Sequence, residues 1–330
     1  MNVMNEKKTD VVALGELLID FTENGVSPQG NPLMEANPGG APCNVLSMLT
    51  KLGASTAFIG KVGDDMFGRQ LKDALIEVGI ATDGLIIDTE VNTTLAFVHT
   101  YENGDRDFSF YRKPGADMML SVEDLDTGLI RGCKIFHYGS LSMTADGCFA
   151  ATKEAIRLAK ESGAIISFDP NLRPPLWDGD LERAKERISY GMSQCDVLKI
   201  SDNEITWFTG LDSYDDGVAF LREHYPNLKL ILVSLGPEGS MAFSGENRVL
   251  VKPFLNPDTI ETTGAGDTFC ACVLNYVLLH PKLDYDDEAL TTMLRFANAA
   301  ASIITTRKGA LRVMPEKKEV EEYQREGDEV

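Results

Sequence analysis

Short runs of β-branched and apolar residues alternate along this chain with longer amphipathic stretches, and this alternation constrains the fold more than any other feature. The runs that predict buried strands are residues 11–14, 56–59, 134–138, 165–168, 197–200 and 230–233. The stretches with apolar residues at helical spacing include residues 44–52, 67–78, 148–160 and 181–192. Repeated strand–helix–strand units predict an α/β fold with a mostly parallel central sheet covered by helices.

Two segments in the first third of the chain break this alternation. Residues 21–38 are rich in Gly, Pro and Asn, and residues 93–112 have the pattern of a hairpin. The hairpin turn is marked by Asn103-Gly104, because this dipeptide adopts the positive φ angles that a tight turn needs. We predict that the two segments pair as a small separate sheet. The chain has no internal repeat and no low-complexity linker, which favours a single domain over residues 1–330.

The charge balance restricts the partners that we expect. The chain has 31 Lys and Arg residues against 51 Asp and Glu residues, a formal net charge of −20. Such a chain repels nucleic-acid phosphates, so we expect no nucleic-acid partner, and an anionic substrate needs a local cluster of donors. We also expect no membrane partner, because no apolar run approaches the roughly 18 residues that span a bilayer.

The cysteines and the first residues predict a cytoplasmic protein. The six cysteines lie within apolar runs and form no Cys-x-x-Cys pair, as is typical of reduced core thiols. They are Cys43, Cys133, Cys148, Cys195, Cys270 and Cys272. The first ten residues lack the apolar core of a signal peptide.

A glycine-rich motif near the C-terminus is the most informative candidate site. It follows a strand-like stretch, opens an apolar run over residues 268–279, and reads Thr262-Thr263-Gly264-Ala265-Gly266-Asp267. Free N–H groups and the helix dipole at such a helix start bind anions, and a carboxylate there can accept a hydroxyl proton. The alternative is that Asp267 only caps the helix. Phe269 replaces the third glycine of a dinucleotide-binding motif, and no Gly-Lys-Ser/Thr of a P-loop is present.

Two further candidates lie near the N-terminus. The first reads Pro38-Gly39-Gly40-Ala41-Pro42-Cys43-Asn44, where the glycines permit close backbone approach and Pro42 suits a first helical turn. Asn44 could bind a sugar hydroxyl as donor and acceptor, or it could cap the helix. Asp20 is expected at the end of the first strand, where α/β sheets gather ligands; the alternative is a turn residue.

These motifs together resemble the PfkB, or ribokinase-like, family of carbohydrate kinases. The resemblance covers residues 11–315 and rests on residues 15–20, 39–44 with 60–68, and 262–267. It implies a ribokinase-like three-layer sandwich with a mostly parallel central sheet. It also implies a small β-sheet lid, formed by about residues 21–38 and 93–112, which closes over the sugar and excludes water.

The resemblance implies a role for each matching residue. Asp267 matches the family's general base, and Gly264, Ala265 and Gly266 match its anion hole. The residues that fall where the family holds the sugar are Asp20, Gly39, Gly40 and Asn44. The residues that fall along the nucleotide are Ser234, Gly236, Gly239 and, near the adenine, Asn298. These matches imply ATP and a small-molecule sugar as the ligands.

Two more segments, residues 110–117 and 168–173 with Trp177, resemble fructokinases. The implied reaction is transfer of the γ-phosphate of ATP to O6 of fructose. Alternatives are a 2-keto-3-deoxygluconate kinase, another sugar or nucleoside kinase of the family, or a non-catalytic sugar binder. Arg112 and Arg173 are candidates to hold phosphate, with surface salt bridging as the alternative.

The sequence departs from the family pattern at two positions that concern cations. Ser201 stands where many members have Asn, three residues before the retained Glu204, and Lys199 lies nearby. Mg²⁺ is therefore expected to arrive with ATP and to contact Glu204 through water, with no direct protein ligand. Glu261 replaces the usual Asp at a site that often serves a monovalent cation, so activation by K⁺ stays open.

Two further expectations concern histidines and assembly. His99, His137, His224 and His280 have no metal-ligand spacing, which favours structural roles. The edges of a lid sheet could pair with a second subunit, so a homodimer through the lid is a hypothesis.

Overall fold

The computed structural model describes residues 9–100 and 106–326. All six predicted strands are present, each one to four residues longer than its apolar run. The strands are β1 (Thr9–Leu14), β2 (Leu18–Val26), β3 (Pro32–Gly39), β4 (Thr56–Gly63), β5 (Ala81–Asp88), β6 (Leu95–Thr100), β7 (Arg106–Tyr111), β8 (Cys133–Gly139), β9 (Ile165–Asp169), β10 (Val197–Ser201), β11 (Leu230–Ser234), β12 (Ser240–Ser244) and β13 (Asn247–Val251).

The four predicted helices are also present, with ends within three residues of the predicted bounds. The helices are α1 (Ala41–Lys51), α2 (Met66–Val78), α3 (Thr127–Arg131), α4 (Asp146–Glu161), α5 (Leu181–Gln194), α6 (Asp202–Thr209), α7 (Tyr214–His224), α8 (Ala265–Leu279), α9 (Asp287–Ile304) and α10 (Lys317–Glu326). Within the described part of the chain, none of these helices combines the length and apolar character that crossing a membrane requires.

Nine strands form the main sheet, in the order β13-β12-β11-β10-β9-β8-β1-β4-β5. The pairs from β11 through β5 are parallel, and only β12 and β13 add to the edge in antiparallel fashion. The prediction of a mostly parallel sheet is confirmed. The strand order reverses beside β1, since β4 follows on one side and β8 on the other.

Helices cover both faces of this sheet, so the fold has the three layers that were expected. Alternate residues of β1 separate into two cores: Val11 and Ala13 pack with α1, α2, α8 and α9, whereas Val12 and Leu14 pack with α4, α5 and α7. This division follows from the two-residue period of a strand buried on both faces. All six cysteines are free and buried in these layers.

The second sheet has four strands in the order β3-β2-β6-β7, and we call it the lid sheet. It unites the two segments that break the main alternation, because β2 pairs with β6 in parallel. The predicted hairpin is confirmed as the antiparallel pair β6–β7. Its predicted turn at Asn103-Gly104 lies outside the described residues.

Candidate active site

A cavity of about 210 Å³ opens where the strand order of the main sheet reverses. Side chains that follow the carboxyl ends of β1, β8 and β9 line its floor, and the lid sheet forms one wall; we call it the lid cavity. Its floor includes Glu16, Leu141, Asn171 and Arg173, and its wall includes Leu18, Asp20, Thr22, Val98 and Phe110. This is the position at which open α/β sheets bind ligands.

Asp267 reaches the lid cavity from the first turn of α8. The cap of α8 is Gly264, which has φ 77°, and Asp267 is the third helical residue, so Asp267 does not serve as the cap. A β-carbon on Gly264 would lie 2.6 Å from Cβ of Ala310, which explains why a glycine begins this helix. Burial raises the pKa of Asp267, while Asn44, Lys199 and Arg173 oppose the rise.

Asn44 connects the two distant motifs directly. Its Nδ2 donates a hydrogen bond of 2.8 Å to Oδ2 of Asp267, although 223 positions separate them. Because α1 begins at Ala41 after Gly40, the alternative of Asn44 as a helix cap is wrong. Its Oδ1 is buried without a hydrogen-bond partner and is therefore an acceptor that a ligand hydroxyl could satisfy.

Asp20 lines the same cavity, but from a different element than expected. It is the third residue of β2 in the lid sheet, so its predicted position at the end of the first strand is wrong. Burial raises its pKa to about 7; Arg173 opposes this, and Asp267 and Glu261 add to it. Gly39 on the neighbouring strand makes room for the carboxyl group, since a β-carbon there would lie 2.3 Å from Oδ2 of Asp20.

Gly40 allows the chain to pass tightly over the first strand's end. Its φ is 126°, and a β-carbon there would lie 2.4 Å from the carbonyl oxygen of Glu16. Glu16 was not predicted as a site residue. Its Oε1 accepts a 2.9 Å hydrogen bond from the N–H of Ala41, while Oε2 is buried without a partner. Burial raises its pKa to about 7.

A second cavity, of about 470 Å³, lies on the other side of the glycine run; we call it the loop cavity. All four residues that were predicted to lie along a nucleotide line it: Ser234, Gly236, Gly239 and Asn298. Apolar groups complete it, among them Pro253, Phe254, Leu255 and Phe269. Thr262 and Gly266 line both cavities, so the glycine run lies where the two meet.

The polar atoms of Asn298 are already used within the protein. Its Oδ1 accepts a 2.8 Å hydrogen bond from Ser240, and its Nδ2 donates a 3.1 Å hydrogen bond to the carbonyl oxygen of Lys252. Asn298 thus joins α9 to the β12–β13 hairpin. It lines the loop cavity while its amide group is hydrogen-bonded within the protein.

Lys199 lies beneath the glycine run and is paired with Asp169. Its Nζ is 3.1 Å from Oδ2 of Asp169, and both side chains are buried. A β-carbon on Gly266 would lie 3.3 Å from this ammonium group. Burial alone would lower the pKa of Lys199, but Asp169 and Glu204 act together in the opposite direction and the pKa is raised.

Arg112 does not line either cavity, and its predicted role in holding phosphate needs correction. Its Nε donates a 2.8 Å hydrogen bond to Asp117, and its two terminal nitrogens bond Thr144 and the carbonyl oxygen of Leu141. The guanidinium group is buried, and these three partners occupy it. It joins the segment after the lid sheet to the segment after β8.

Glu204 has a local structural role. Its Oε2 accepts from the N–H and hydroxyl of Ser201, which forms a capping box at the start of α6. Its Oε1 accepts a 2.6 Å hydrogen bond from the N–H of Leu172. These bonds let Glu204 support the loop that carries Arg173. Oε1 can still accept a further hydrogen bond, so the expected water-mediated magnesium contact stays a prediction.

Glu261 lies in the lid cavity, where its Oε1 accepts a 2.8 Å hydrogen bond from the N–H of Gly309. Nothing in this geometry assigns a cation to it. Within residues 9–100 and 106–326, no group of three or more His, Cys, Asp and Glu side chains could hold a metal ion.

Acidic side chains predominate among the charged groups of the lid cavity. Four carboxyl groups line it, those of Glu16, Asp20, Glu261 and Asp267, and Arg173 is the one cation among its described lining residues. Burial raises the pKa values of three of these acids, Glu16, Asp20 and Asp267, and repulsion from Asp267 and Glu261 adds to the rise at Asp20. Such a cavity suits a neutral ligand rich in hydroxyl donors better than an anion.

A family profile described as "pfkB family carbohydrate kinase" matches residues 8–317. The chain belongs to the pfkB family. It is therefore a carbohydrate kinase, a phosphotransferase with an alcohol group as acceptor, and its fold is the ribokinase-like α/β fold that the motifs implied.

Relatives and solved structures narrow the comparison within the pfkB family. The chain is 42% identical to "Probable fructokinase-4" of Arabidopsis thaliana, over 97% of this chain and 98% of that protein. It is 43% identical to "Fructokinase-2" of Solanum lycopersicum, over 92% and 93%. The crystal structure of a fructokinase with bound ATP from Xylella fastidiosa matches with a TM-score of 0.88 and 32% identity, over 97% of this chain and 99% of that chain.

Sequence reasoning missed three groups that the pfkB fold brings to the site: Glu16, Asp169 and Asn171. A signal was available for each, because Glu16 follows β1 by two residues, and Asp169 and Asn171 stand at the end of β9. Polar residues directly after parallel strands face the ligand edge of the sheet.

Proposed function

We propose that this pfkB-family protein is a fructokinase that transfers the γ-phosphate of ATP to O6 of fructose. The observation that carries the proposal is the position of Asp267. It is joined to Asn44 in the lid cavity, and the glycine run beside it also lines the loop cavity. Sugar in the lid cavity and ATP in the loop cavity would therefore meet at this carboxylate.

Asp267 acts as the general base in this proposal. It takes the proton of the fructose 6-hydroxyl as O6 forms its bond to the γ-phosphorus, and the bond from phosphorus to the bridging oxygen of ADP breaks. The backbone N–H groups of Gly264, Ala265 and Gly266 at the start of α8 stabilise charge on the phosphoryl oxygens. Arg173, which lines the lid cavity, neutralises charge on the phosphoryl group and on the product.

Asp20 and Asn44 hold the sugar in this scheme. The carboxylate of Asp20 accepts hydrogen bonds from sugar hydroxyls, and the unpartnered Oδ1 of Asn44 accepts another. Gly39 and Gly40 line the cavity beside these groups, and the missing β-carbon of Gly39 makes room for the Asp20 carboxyl group. The lid sheet covers this side of the cavity, and closure would exclude water as a competing acceptor of the phosphoryl group.

The acidic lining of the lid cavity supports fructose over the acid sugar 2-keto-3-deoxygluconate. Four carboxyl groups against one guanidinium favour a neutral polyol, since a substrate carboxylate would add to the repulsion. The sequence relatives named fructokinase support the same choice.

A coupled assay of ADP release across fructose, ribose, 2-keto-3-deoxygluconate and adenosine tests the proposal. We expect the highest kcat/KM with fructose. A higher value with 2-keto-3-deoxygluconate would overturn the substrate and leave the kinase assignment intact. ADP release that no sugar accelerates would favour the non-catalytic sugar binder.

The cofactor part of the proposal is ATP with Mg²⁺. A Vibrio cholerae fructokinase has been solved with fructose, ADP and calcium ion, with a TM-score of 0.84 to this chain and 28% identity. We propose that Mg²⁺ is held by the ATP phosphates and water rather than by a side chain of this protein. Activation by K⁺ near Glu261 is a separate hypothesis, which rate measurements in K⁺ and in Na⁺ test.

Assembly, domain organisation and location complete the proposal. We propose that the chain is a single kinase domain, and that two copies associate through the edges of the lid sheet, β3 and β7. Tyr111 on β7 is 67% exposed beside Phe97, which supports that surface. Sedimentation of the wild type and of Tyr111→Glu tests the dimer.

The six buried free thiols support a cytoplasmic location.

A further inference from the structure

A buried ion pair lies directly under the point where the two cavities meet. Asp169 ends β9 and Lys199 lies in the adjacent parallel strand β10. The ammonium group donates a 3.4 Å hydrogen bond to Oδ1 of Asp169 and lies 3.1 Å from Oδ2. The N–H of Asn171 donates a second hydrogen bond, of 3.1 Å, to Oδ1. Asp169 is 3% exposed and Lys199 is 6% exposed, so water screens the pair little.

The pair costs desolvation energy that an apolar pair of similar size would not, so stability alone does not explain it. Its ammonium end is directed at Gly266, where an added β-carbon would be only 3.3 Å away. Gly266 and Asp267 are adjacent in the first turn of α8, which puts the charge of Lys199 next to both the proposed anion hole and the proposed base.

We propose that Asp169 and Lys199 are positioning residues, a buried pair in which Asp169 fixes the ammonium group of Lys199 beneath Gly266 so that its charge keeps Asp267 ionised. This inference rests on the proposed role of Asp267 as the base. Asp169 fixes Lys199 and neutralises part of its charge at Asp267, and neither residue transfers a proton or forms a covalent bond in the reaction.

The surroundings of Asp267 are consistent with this balance. Burial raises the pKa of Asp267, and the groups that oppose the rise are Asn44 on α1, Lys199 on β10 and Arg173 after β9. The carboxylates of Asp20 on β2 and Asp169 on β9 interact with Asp267 in the opposite sense. Cys270, one turn along α8, keeps its thiol protonated because burial raises its pKa. Lys199 is thus one of two cations that hold the proton affinity of Asp267 down.

Two isosteric substitutions separate the pair by the direction of their effects. Lys199→Met removes the positive charge, so the acidic limb of the kcat/KM–pH profile for fructose should move up by about one unit. Asp169→Asn leaves the positive charge without its partner, so the same limb should move down. The double variant removes both charges, and its limb should lie between those of the two single variants.

Lys61→Met is the matched control. It removes a half-buried ion pair in which Nζ of Lys61 lies 2.9 Å from Oδ2 of Asp124, and Lys61 lines neither cavity. Its limb should coincide with that of the wild type. Melting curves confirm that each variant is folded over the pH range used. Limbs that move in the same direction for Lys199→Met and Asp169→Asn, or that do not move while kcat falls, would overturn the inference and leave the pair a structural one.

The turnover of Asp267→Asn tests separately whether Asp267 is the base. If Asp267→Asn keeps wild-type turnover, the proposed base is wrong, whatever the pair does to the pH profile. If Asp267→Asn is inactive and the acidic limb does not move in Lys199→Met or Asp169→Asn, then Asp267 remains the proposed base and only the inference about the pair is wrong. A rise in the KM of ATP alone, in Lys199→Met, would instead make Lys199 a direct phosphate ligand and would also overturn it.

Discussion

Asp20 and Asp267 approach the lid cavity from opposite sides, one from β2 of the lid sheet and the other from the start of α8. Each has a raised pKa because it is removed from water close to other acids. Arg173 lowers both values, so a single exposed guanidinium group offsets part of the repulsion on each side of the cavity. At the scale of single residues, the account therefore predicts separable effects on sugar binding and on chemistry.

Replacing Asp20 with Ala should raise the KM of fructose by one to several decades and leave the KM of ATP nearly unchanged. Each hydrogen bond from a sugar hydroxyl to a charged acceptor is worth roughly 1.5–3 kcal/mol. Steady-state kinetics with both substrates, together with a melting curve, measure this. A lower melting temperature with an unchanged fructose KM would mean that Asp20 is only structural. Equal rises in both KM values would indicate a displaced lid.

Replacing Glu16 with Gln should make the protein more resistant to alkaline conditions. Burial raises the pKa of Glu16 from 4.5 to about 7, so the folded state binds a proton that the unfolded state releases between these values. The contribution of this group to the free energy of unfolding of the wild type therefore falls as pH rises from about 4.5 through 7. Gln cannot ionise, yet its side-chain oxygen, Oε1, can still accept a hydrogen bond from the N–H of Ala41.

Urea unfolding at pH 5.5 and pH 8 measures this difference. Relative to the wild type, Glu16→Gln should gain roughly 1–3 kcal/mol between the two pH values. Glu246→Gln, at an exposed position between β12 and β13, is the control and should change little. An equal response of both variants to pH would contradict the assignment of a buried, neutral Glu16.

At the scale of elements, alternating composition predicted the central strands because a strand buried on both faces needs a continuous apolar run. The run at residues 230–233 became β11, and the run at residues 11–14 became β1. The sequence did not reveal that Asp20 belongs to a separate strand, since Leu18 and Ile19 continue the apolar character of β1 and hide the break between the sheets. The positions of motifs were predictable where backbone geometry requires glycine, as at Gly264.

The partners of long polar side chains could not be predicted, because they depend on contacts between distant elements. Arg112 is next to a lid strand in sequence, yet its guanidinium group is held by Asp117, Thr144 and the carbonyl oxygen of Leu141. Glu204 matched a metal-linked motif, yet Ser201 and Leu172 use both of its oxygens. The bond between Asn44 and Asp267 was likewise invisible until the fold brought α1 to α8.

The start of α8 can be tested against a matched glycine at the end of α1. Gly264 and Gly53 both have positive φ, 77° and 92°, but only Gly264 faces a close neighbour, Cβ of Ala310 at 2.6 Å from an added β-carbon. Ala at either position should cost about 1–3 kcal/mol of backbone strain. Gly264→Ala should in addition displace the anion hole and lower kcat at least tenfold, whereas Gly53→Ala should keep wild-type kcat. Equal kcat values in the two variants would contradict the role of this helix start.

At the scale of the whole molecule, the chain carries a net charge of −20, and a strongly acidic cavity adjoins the glycine run. An acidic surface opposes the approach of ATP, so the donors that hold its phosphates must be local, and we propose the N–H groups at the start of α8 and the guanidinium group of Arg173 for this role. The main sheet supplies this convergence, because its reversal beside β1 gathers the loops after β1, β8 and β9 at one edge.

A single domain built on the main sheet, as we propose, should unfold as one unit. The two cores share most strands of the main sheet, so they should unfold together, and calorimetry should give one transition with equal calorimetric and van't Hoff enthalpies for the monomeric unit. Two resolved transitions would mean that part of the chain, such as the lid sheet, unfolds by itself.

The central claim is that Asp267 is the base that activates the fructose hydroxyl, and one substitution tests it most directly. Asp267→Asn keeps the size of the side chain and an oxygen that can accept from Asn44, but it removes the proton acceptor. With saturating ATP and fructose, we predict a loss of kcat of at least ~10²–10⁴-fold, with fructose binding by calorimetry and the melting temperature close to wild type. A kcat within about threefold of the wild type would contradict the account.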